Sequence, residues 1–360
     1  MGYPETFEGY MFTDPKVWQK NAKKQTFKPK TFGEYDIDIK IEACGVCGSD
    51  LHTVNGGWGG FEPPLCVGHE IVGTAIKVGP KVTKVKVGDR CGVGAQAWSC
   101  LECGNCKHDQ ENYCPKQVDT YGSKFPNGET TQGGYASHQR AHEYFVFKIP
   151  DAVKSEHAAP MLCAGLTVFS PLVRNGAGPG TNVGIIGVGG LGHFGLLFAQ
   201  ALGANVWAMS RSDKKKADVE KLGKGQIKYI DCSVKDWADK YAFHFDVIIN
   251  TADSTKNFDL KPYCSTLKVN ASLINVGLAD DPLPQIDAFL FMPNGCKIGG
   301  SHIGNHLEME RMLNLAAEKN VVPWVEPLPV KECVKALTRL QNNEVRFRHV
   351  LVGFEDEFGT

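Results

Sequence analysis

The amino-acid sequence predicts an α/β protein of two domains, one β-rich and one built on a doubly wound parallel sheet. Three observations carry this expectation. The 360 residues exceed the roughly 250–300 at which a single core stops growing. The first half consists of short Ile-, Val- and Thr-rich runs punctuated by glycine, and the second half alternates strand-like apolar runs with helical periodicity. A hydrophobic fraction of 42% with 22% charged residues is that of an ordinary globular chain and argues against disorder or membrane spans.

In the first half, "DIDIKIEACG" (36–45), "HEIVGTAIKVG" (69–79), "VKVGDRCGVGA" (85–95) and "GGYASHQRAHEYFVFKIP" (133–150) read as strands of an antiparallel, barrel-like domain. The pattern changes from about Ser155. "TNVGIIGVGGLG" is a strand running into glycines, "HFGLLFAQALG" has helical spacing closed by Gly203, and "NVWAMS" is another strand. The alternation continues through "FDVIINTA", "ASLINVG" and "CKIGGSHIG", which makes a βαβ series. After Gly304 come two amphipathic helical patterns, "HLEMERMLNLAAEKN" and "VKECVKALTRLQNN", and a last strand, "FRHVLVG". Spacing leaves open whether this tail caps the parallel sheet or returns to the first domain.

Lys+Arg of 39 against Asp+Glu of 40 provides no global field for nucleic acid or anionic lipid, so any anion site must be local. The N-terminal "MGYPETFEGYMFTDPK" has acidic residues and no uninterrupted apolar run, which gives the expectation of a cytoplasmic protein. Thirteen cysteines in such a chain are explained better by metal or reactive thiols than by disulfides. Four of them, Cys100, Cys103, Cys106 and Cys114, fall in one hydrophilic loop, "CLECGNCKHDQENYC". Four thiolates suit a closed tetrahedral zinc that pins a loop with few apolar residues of its own. An iron–sulfur cluster is the soft-ligand rival, and a nucleic-acid ribbon is disfavoured by the loop's balanced charge.

"GVGGLG", Gly187 to Gly192, fits the dinucleotide-binding pattern between a strand and a helix. Gly187 makes the turn, Gly189 lets backbone approach a pyrophosphate, Gly190 and Leu191 open the helix whose N–H groups face the anion, and Gly192 permits close helix packing. About twenty residues further on, where an NAD site places an acid on the ribose, stands "SRSDKKK". Ser210, Arg211 and Lys215 offer a hydroxyl, a planar fork and a point charge, a set suited to a 2'-phosphate and hence to NADP.

A second C-x-x-C, in "CGVCGSDLH" (44–52), admits a redox dithiol, half of a zinc knuckle, or a single metal ligand. Together with "GHEIVG" (68–73), the four-cysteine loop and "GVGGLG", in that order, it resembles the zinc-dependent medium-chain alcohol dehydrogenases over nearly the whole chain. "GVGAQAWSCLEC", "PLVRNGAGPG" and "RFRHVLVGF" are similar to the cinnamyl alcohol dehydrogenase branch, in particular its fungal NADP-dependent members.

The resemblance implies a GroES-like catalytic domain at 1–163 and 304–360 and a Rossmann domain at 164–303. It implies a catalytic zinc on Cys47, His69 and Cys163, with Glu70 as occasional fourth ligand, which leaves Cys44 as a small apolar residue. It assigns Asp50 to holding the ligand imidazole and Ser49 and His52 to a proton path. Thr167 and Ser301 are placed near the nicotinamide and Arg348 near the cofactor phosphates; Trp58 and Trp98 are candidate substrate-pocket aromatics, against the commoner core role of large rings. His302 matches no family role.

The expected enzyme holds two zinc ions per chain, one catalytic and one structural. It moves a hydride between NADP(H) and primary alcohols or aldehydes, and mainly reduces aliphatic and aromatic, cinnamaldehyde-type aldehydes. It is expected to be a homodimer without nucleic-acid or membrane partners. A zinc-free quinone reductase on the same fold, and an idle binding or regulatory relative, are the rivals; the ligand set and the Ser49–His52 pair count against each in turn.

Overall fold

The computed structural model describes residues 4–253, 258–279 and 281–359. The chain forms two compact units, Met1–Cys163 with Asn305–Thr360, and Ala164–Gly304.

The first unit is built on a seven-stranded sheet in which Val325–Pro329, Arg348–Val352, Asp36–Gly45, Ile71–Val78, Arg90–Val93 and Val146–Lys148 lie side by side, and His138–His142 also pairs with Asp36–Gly45. All pairings are antiparallel except that of Val325–Pro329 with Arg348–Val352. Asp36–Gly45 is the central strand, and Ile37, Ile39 and Ile41 are at most 1% exposed. Its register with Ile71–Val78 shifts twice, at Asp38/Ile39 and at Ile41/Ala43. Such bulges bend a strand and raise its twist, which suits a sheet curling into a barrel.

The C-terminal tail returns to this unit. Arg348–Val352 pairs with the end of Asp36–Gly45 through Val350↔Gly45 and Leu351↔Cys44. Helix His306–Glu318 starts in a capping box, Asn305 accepting from the Glu308 N–H and Glu308 from the Asn305 N–H. It buries Met309, Met312, Leu313 and Ala316, the i, i+3, i+4, i+7 stripe of an amphipathic helix. Each of the three larger side chains is worth about 1.5–3 kcal/mol when fully buried.

The second unit is a six-stranded, wholly parallel sheet. Across it the strands run Lys228–Asp231, Asn205–Ser210, Asn182–Ile186, Phe245–Asn250, Leu267–Asn275 and Lys297–Gly300. In order of occurrence this is 3-2-1-4-5-6, so the order reverses between the first and fourth strands, where open α/β sheets bind ligands. Val183, Ile185, Val247, Ile248 and Ile249 are completely buried, as strands covered on both faces require. Among the described residues no helix is long and apolar enough to cross a membrane.

Candidate active site and metal centres

The metal-type cluster of the first unit is assembled at the ends of strands. Cys47 follows the central strand, His69 and Glu70 immediately precede Ile71–Val78, and Cys163 lies in the π-helical segment Met161–Gly165 after helix Ser155–Pro160. Ligand atoms of Cys47, His69, Glu70 and Cys163 all lie within 4.8 Å of one another, and all four residues are buried. The Nε2 of His69 is buried with no hydrogen-bond partner among the described residues, a costly state for an imidazole nitrogen unless a metal or ligand completes it.

The two thiols share their charge unevenly. Contact with Cys163 first, and then His69, holds Cys47 well below the usual thiol range, while the same contact and burial push Cys163 well above it. That is a coupled pair with one easily lost proton; a bound cation would draw off the second as well. Burial alone would lower the His69 pKa, but the Cys47 sulfur and the charges of Asp50 and Glu70 prevail and raise it to about 9. Burial pushes the Glu70 carboxyl up, and Arg348, whose guanidinium donates to both carboxylate oxygens, pulls it back towards the charged form. The two-oxygen contact is that of a charged pair.

The hydrogen bonds of Asp50 run to the backbone and to a tyrosine. No hydrogen bond joins it to the His69 ring among the described residues. Its carboxylate accepts instead from the backbone N–H of Cys47 at 2.9 Å, the N–H of Gly68 at 3.1 Å and the hydroxyl of Tyr135 at 3.1 Å. Being the third residue of helix Gly48–Val54, it reaches back to that helix's cap, so the geometry of the helix start takes its oxygens to the backbone before each of two candidate ligands. Tyr121 stacks on the His69 ring with centroids 5.3 Å apart. Neither tyrosine was singled out from the sequence; no local pattern marks a residue that meets the site from so far along the chain.

Ser49 Oγ is 3.6 Å from Cys47 Sγ, and His52 stands three residues further on the same short helix, on the same face. The His52 ring stacks on Trp58 at 4.9 Å with the planes 5° apart. Trp58 is 45% exposed and so belongs to no core, whereas Trp98 is half-buried in strand Gln96–Trp98. Cys44 is fully buried at the strand end, with its thiol pushed up by burial.

The second cluster is the cysteine loop. Sγ–Sγ separations are 3.5 Å for Cys103–Cys106 and Cys100–Cys114 and 4.0 Å for Cys100–Cys106 and Cys103–Cys114. No disulfide is formed by any of the thirteen cysteines. Backbone N–H groups, that of Glu102 foremost, lower Cys100 to about 6, and burial raises Cys106 to about 12. Four sulfurs facing one point, with a backbone N–H of Lys116 donating to Cys114, fit a closed tetrathiolate zinc.

In the second unit the glycine loop joins strand Asn182–Ile186 to helix Gly190–Ala201. Gly187 has φ +85°, and a Cβ on Gly192 would lie 1.9 Å from the Gly187 carbonyl oxygen, so neither position admits a side chain without moving the backbone. Gly189 is the helix cap, and Gly190 and Leu191 are its first residues. Ser210 ends strand Asn205–Ser210, and the next residue, Arg211, is exposed. Lys215 Nζ donates to the Val188 carbonyl within the glycine loop, so the basic cluster and the loop form one surface. Thr167 lies on helix Leu166–Arg174 and Ser301 follows the sixth strand; the Ser301 Oγ is buried with no partner among the described residues. His302 is exposed.

Residues 33–151 match the alcohol dehydrogenase GroES-like domain and residues 190–318 the zinc-binding dehydrogenase domain. The chain is 46% identical to NADP-dependent alcohol dehydrogenase 6 of Saccharomyces cerevisiae, over 99% of both chains. A cinnamyl alcohol dehydrogenase from Sorghum bicolor superposes with a TM-score of 0.89 at 32% identity, covering 96% of this chain and 97% of the other. A cinnamyl alcohol dehydrogenase of Helicobacter pylori, solved with NADP(H), gives 0.87 at 32% identity, covering 96% and 98%. The chain therefore belongs to the zinc-binding medium-chain alcohol dehydrogenases, in their cinnamyl alcohol dehydrogenase group.

Proposed function

We propose that this zinc-type, NADP-dependent alcohol dehydrogenase works chiefly as a reductase of aliphatic and aromatic, cinnamaldehyde-type aldehydes. The observation that carries the reading is the convergence of Cys47, His69, Glu70 and Cys163 within 4.8 Å around a His69 nitrogen with no hydrogen-bond partner among the described residues. Cys47, His69 and Cys163 would hold a catalytic zinc, with Glu70 able to exchange between it and Arg348, and Cys100, Cys103, Cys106 and Cys114 a structural one. When bound, the first zinc supplies a Lewis acid that polarises the substrate oxygen, and the cofactor supplies the hydride.

The protein's own groups do the rest. Asp50 fixes the backbone before Cys47 and His69, so both ligands are placed before anything binds. The Ser49 hydroxyl and the His52 imidazole, an i, i+3 pair, carry a proton between substrate oxygen and water. Arg211 and Ser210 hold the 2'-phosphate, while Lys215, through Val188, keeps the glycine loop in place beside them. Thr167 and Ser301 serve the nicotinamide, and Arg348, whose Nε has no partner among the described residues, serves a cofactor phosphate. Trp58, stacked on His52 and exposed, and Trp98 border the substrate.

A homodimer is supported by the second unit's surface. Lys297–Gly300 is an edge strand, and Leu278, Leu283, Phe289 and Met292 before it are 46–73% exposed. A cytoplasmic home accords with the absence of a membrane-crossing helix among the described residues. Steady-state rates on a panel of aliphatic and aromatic aldehydes and alcohols, with NADPH and NADH, test the function; preference for alcohol oxidation, or for NADH, would refute it. Sedimentation equilibrium tests the dimer, and a monomeric mass would refute it.

A further inference from the structure

Two asparagines at the carboxyl ends of neighbouring strands have no part in the assignments above. Asn250 ends Phe245–Asn250, Asn275 ends Leu267–Asn275, and the two are register partners. Asn250 is 2% exposed. Their hydrogen bonds run in one direction. The backbone N–H of Ala252 donates to Asn250 Oδ1 at 3.2 Å, Asn250 Nδ2 donates to Asn275 Oδ1 at 2.7 Å, and Asn275 Nδ2 donates to the Gly277 carbonyl at 2.8 Å. With a fixed donor at one end and a fixed acceptor at the other, only one orientation of each amide satisfies the chain.

The backbone of the same residues reinforces it. The Asn250 carbonyl accepts from the N–H groups of Val276 and Gly277 at 2.9 and 3.1 Å, and the Asn275 carbonyl from the N–H of Ser301 at 3.3 Å. A Cβ on Gly277 would lie 2.1 Å from the Ala252 carbonyl oxygen, so the loops after the fourth and fifth strands touch there. These segments border an open cleft lined by Asn250, Ala252, Phe258, Asn275, Leu278 and Leu283 among others. Valine or isoleucine would fill two strand ends without the desolvation cost that a buried amide carries unless it is fully paired.

We propose that the Asn250–Asn275 amide relay is a positioning pair, which holds the loop ends after the fourth, fifth and sixth strands in the shape that receives the nicotinamide half of the cofactor. Neither side chain takes part in hydride or proton transfer. The relay sets Ala252, Gly277 and Ser301 before binding, so the ordering cost does not fall on the cofactor. This rests on the NADP(H) reading above.

Asn250→Asp and Asn275→Asp keep the side-chain volume and each remove one donor from the relay. In the first, a carboxylate oxygen faces the Asn275 oxygen; in the second, one faces the Gly277 carbonyl. In the zinc-loaded protein each variant is expected to raise the NADPH dissociation constant, measured by fluorescence titration, and the KM for NADPH about tenfold, with kcat at saturating NADPH kept within about threefold. In the unsubstituted protein, hydrogen exchange should find the amides of Val276 and Gly277 already protected without cofactor. Rapid exchange there would overturn the inference, and so would NADPH binding within twofold of the parent in both folded variants. A parent protein that does not bind NADPH at all would overturn the cofactor reading and the inference together.

Discussion

Glu70 and Arg348, 278 positions apart, form an ion pair in which one guanidinium nitrogen donates to both carboxylate oxygens and neither side chain is more than 3% exposed. The pair ties the last strand of the first unit to the start of Ile71–Val78, beside the metal-type cluster. Removing one partner of a buried pair leaves the other as an uncompensated charge. Arg348→Met is therefore expected to cost about 3–5 kcal/mol in urea unfolding, and the double variant Glu70→Gln, Arg348→Met clearly less than the single one. A loss from Arg348→Met below about 1 kcal/mol, the range of surface pairs, would show that the contact is not a charged one.

The two cysteines of the C-x-x-C should part company. Cys47→Ser is expected to lower zinc from about two per chain to about one and to abolish turnover, because it removes a candidate ligand. Cys44→Ser changes only a buried packing position and should keep both zinc and most activity, with a stability loss of about 1–3 kcal/mol from an imperfectly paired hydroxyl. Elemental analysis and initial rates on the same preparations decide; equal losses would make the pair a functional dithiol.

Recognition of the 2'-phosphate should reside in Arg211. A hydrogen bond to a charged group is worth about 1.5–3 kcal/mol, so Arg211→Ala should weaken NADPH binding roughly ten- to a hundredfold. NADH, without that phosphate, should bind almost as before. Lys215→Ala should differ, because Lys215 holds the Val188 carbonyl: it is expected to weaken both cofactors. Equal loss of NADH and NADPH binding in Arg211→Ala would remove the assignment.

His138 makes stability depend on pH. Burial first, and then the charge of Lys40, lowers its pKa from 6.5 to about 4, and its ring lies against Phe7 at 5.1 Å. Between those values the unfolded chain is protonated at this residue and the folded one is not. The unfolded state thus binds more protons, and stability falls as pH drops from about 6.5 towards 4 by at most about 1.4 kcal/mol per pH unit. His138→Gln should flatten that slope in urea titrations at pH 5 and 6.5, and an unchanged slope would show that the histidine is protonated in the fold.

The elements were legible in the sequence wherever the signal is periodic. "DIDIKIEACG" alternates and is a strand, Asp36–Gly45; "HFGLLFAQALG" closes on Gly203 and belongs to helix Gly190–Ala201. The convergence of the four cysteines was legible as well, since all of them lie in one loop whose short spacings leave the sulfurs little choice but to meet. Gly187 and Gly192 could be read one by one, because each answers to a local steric demand. Cys47, His69 and Cys163 were grouped only through resemblance, since nothing in their spacing says that three distant segments meet.

What had to await the tertiary structure has one physical cause: it depends on which buried groups face each other after the chain closes. The course of the C-terminal tail was open until Arg348–Val352 was seen to hydrogen-bond with Asp36–Gly45. Asp50 was matched to a ligand imidazole by resemblance alone, and nothing in the sequence signalled that its carboxylate accepts from two backbone N–H groups and Tyr135. Arg348 opposite Glu70, and Asn250 opposite Asn275, have no local signature at all. A buried polar group must find a partner or cost stability, and only the folded chain determines which partner is within reach.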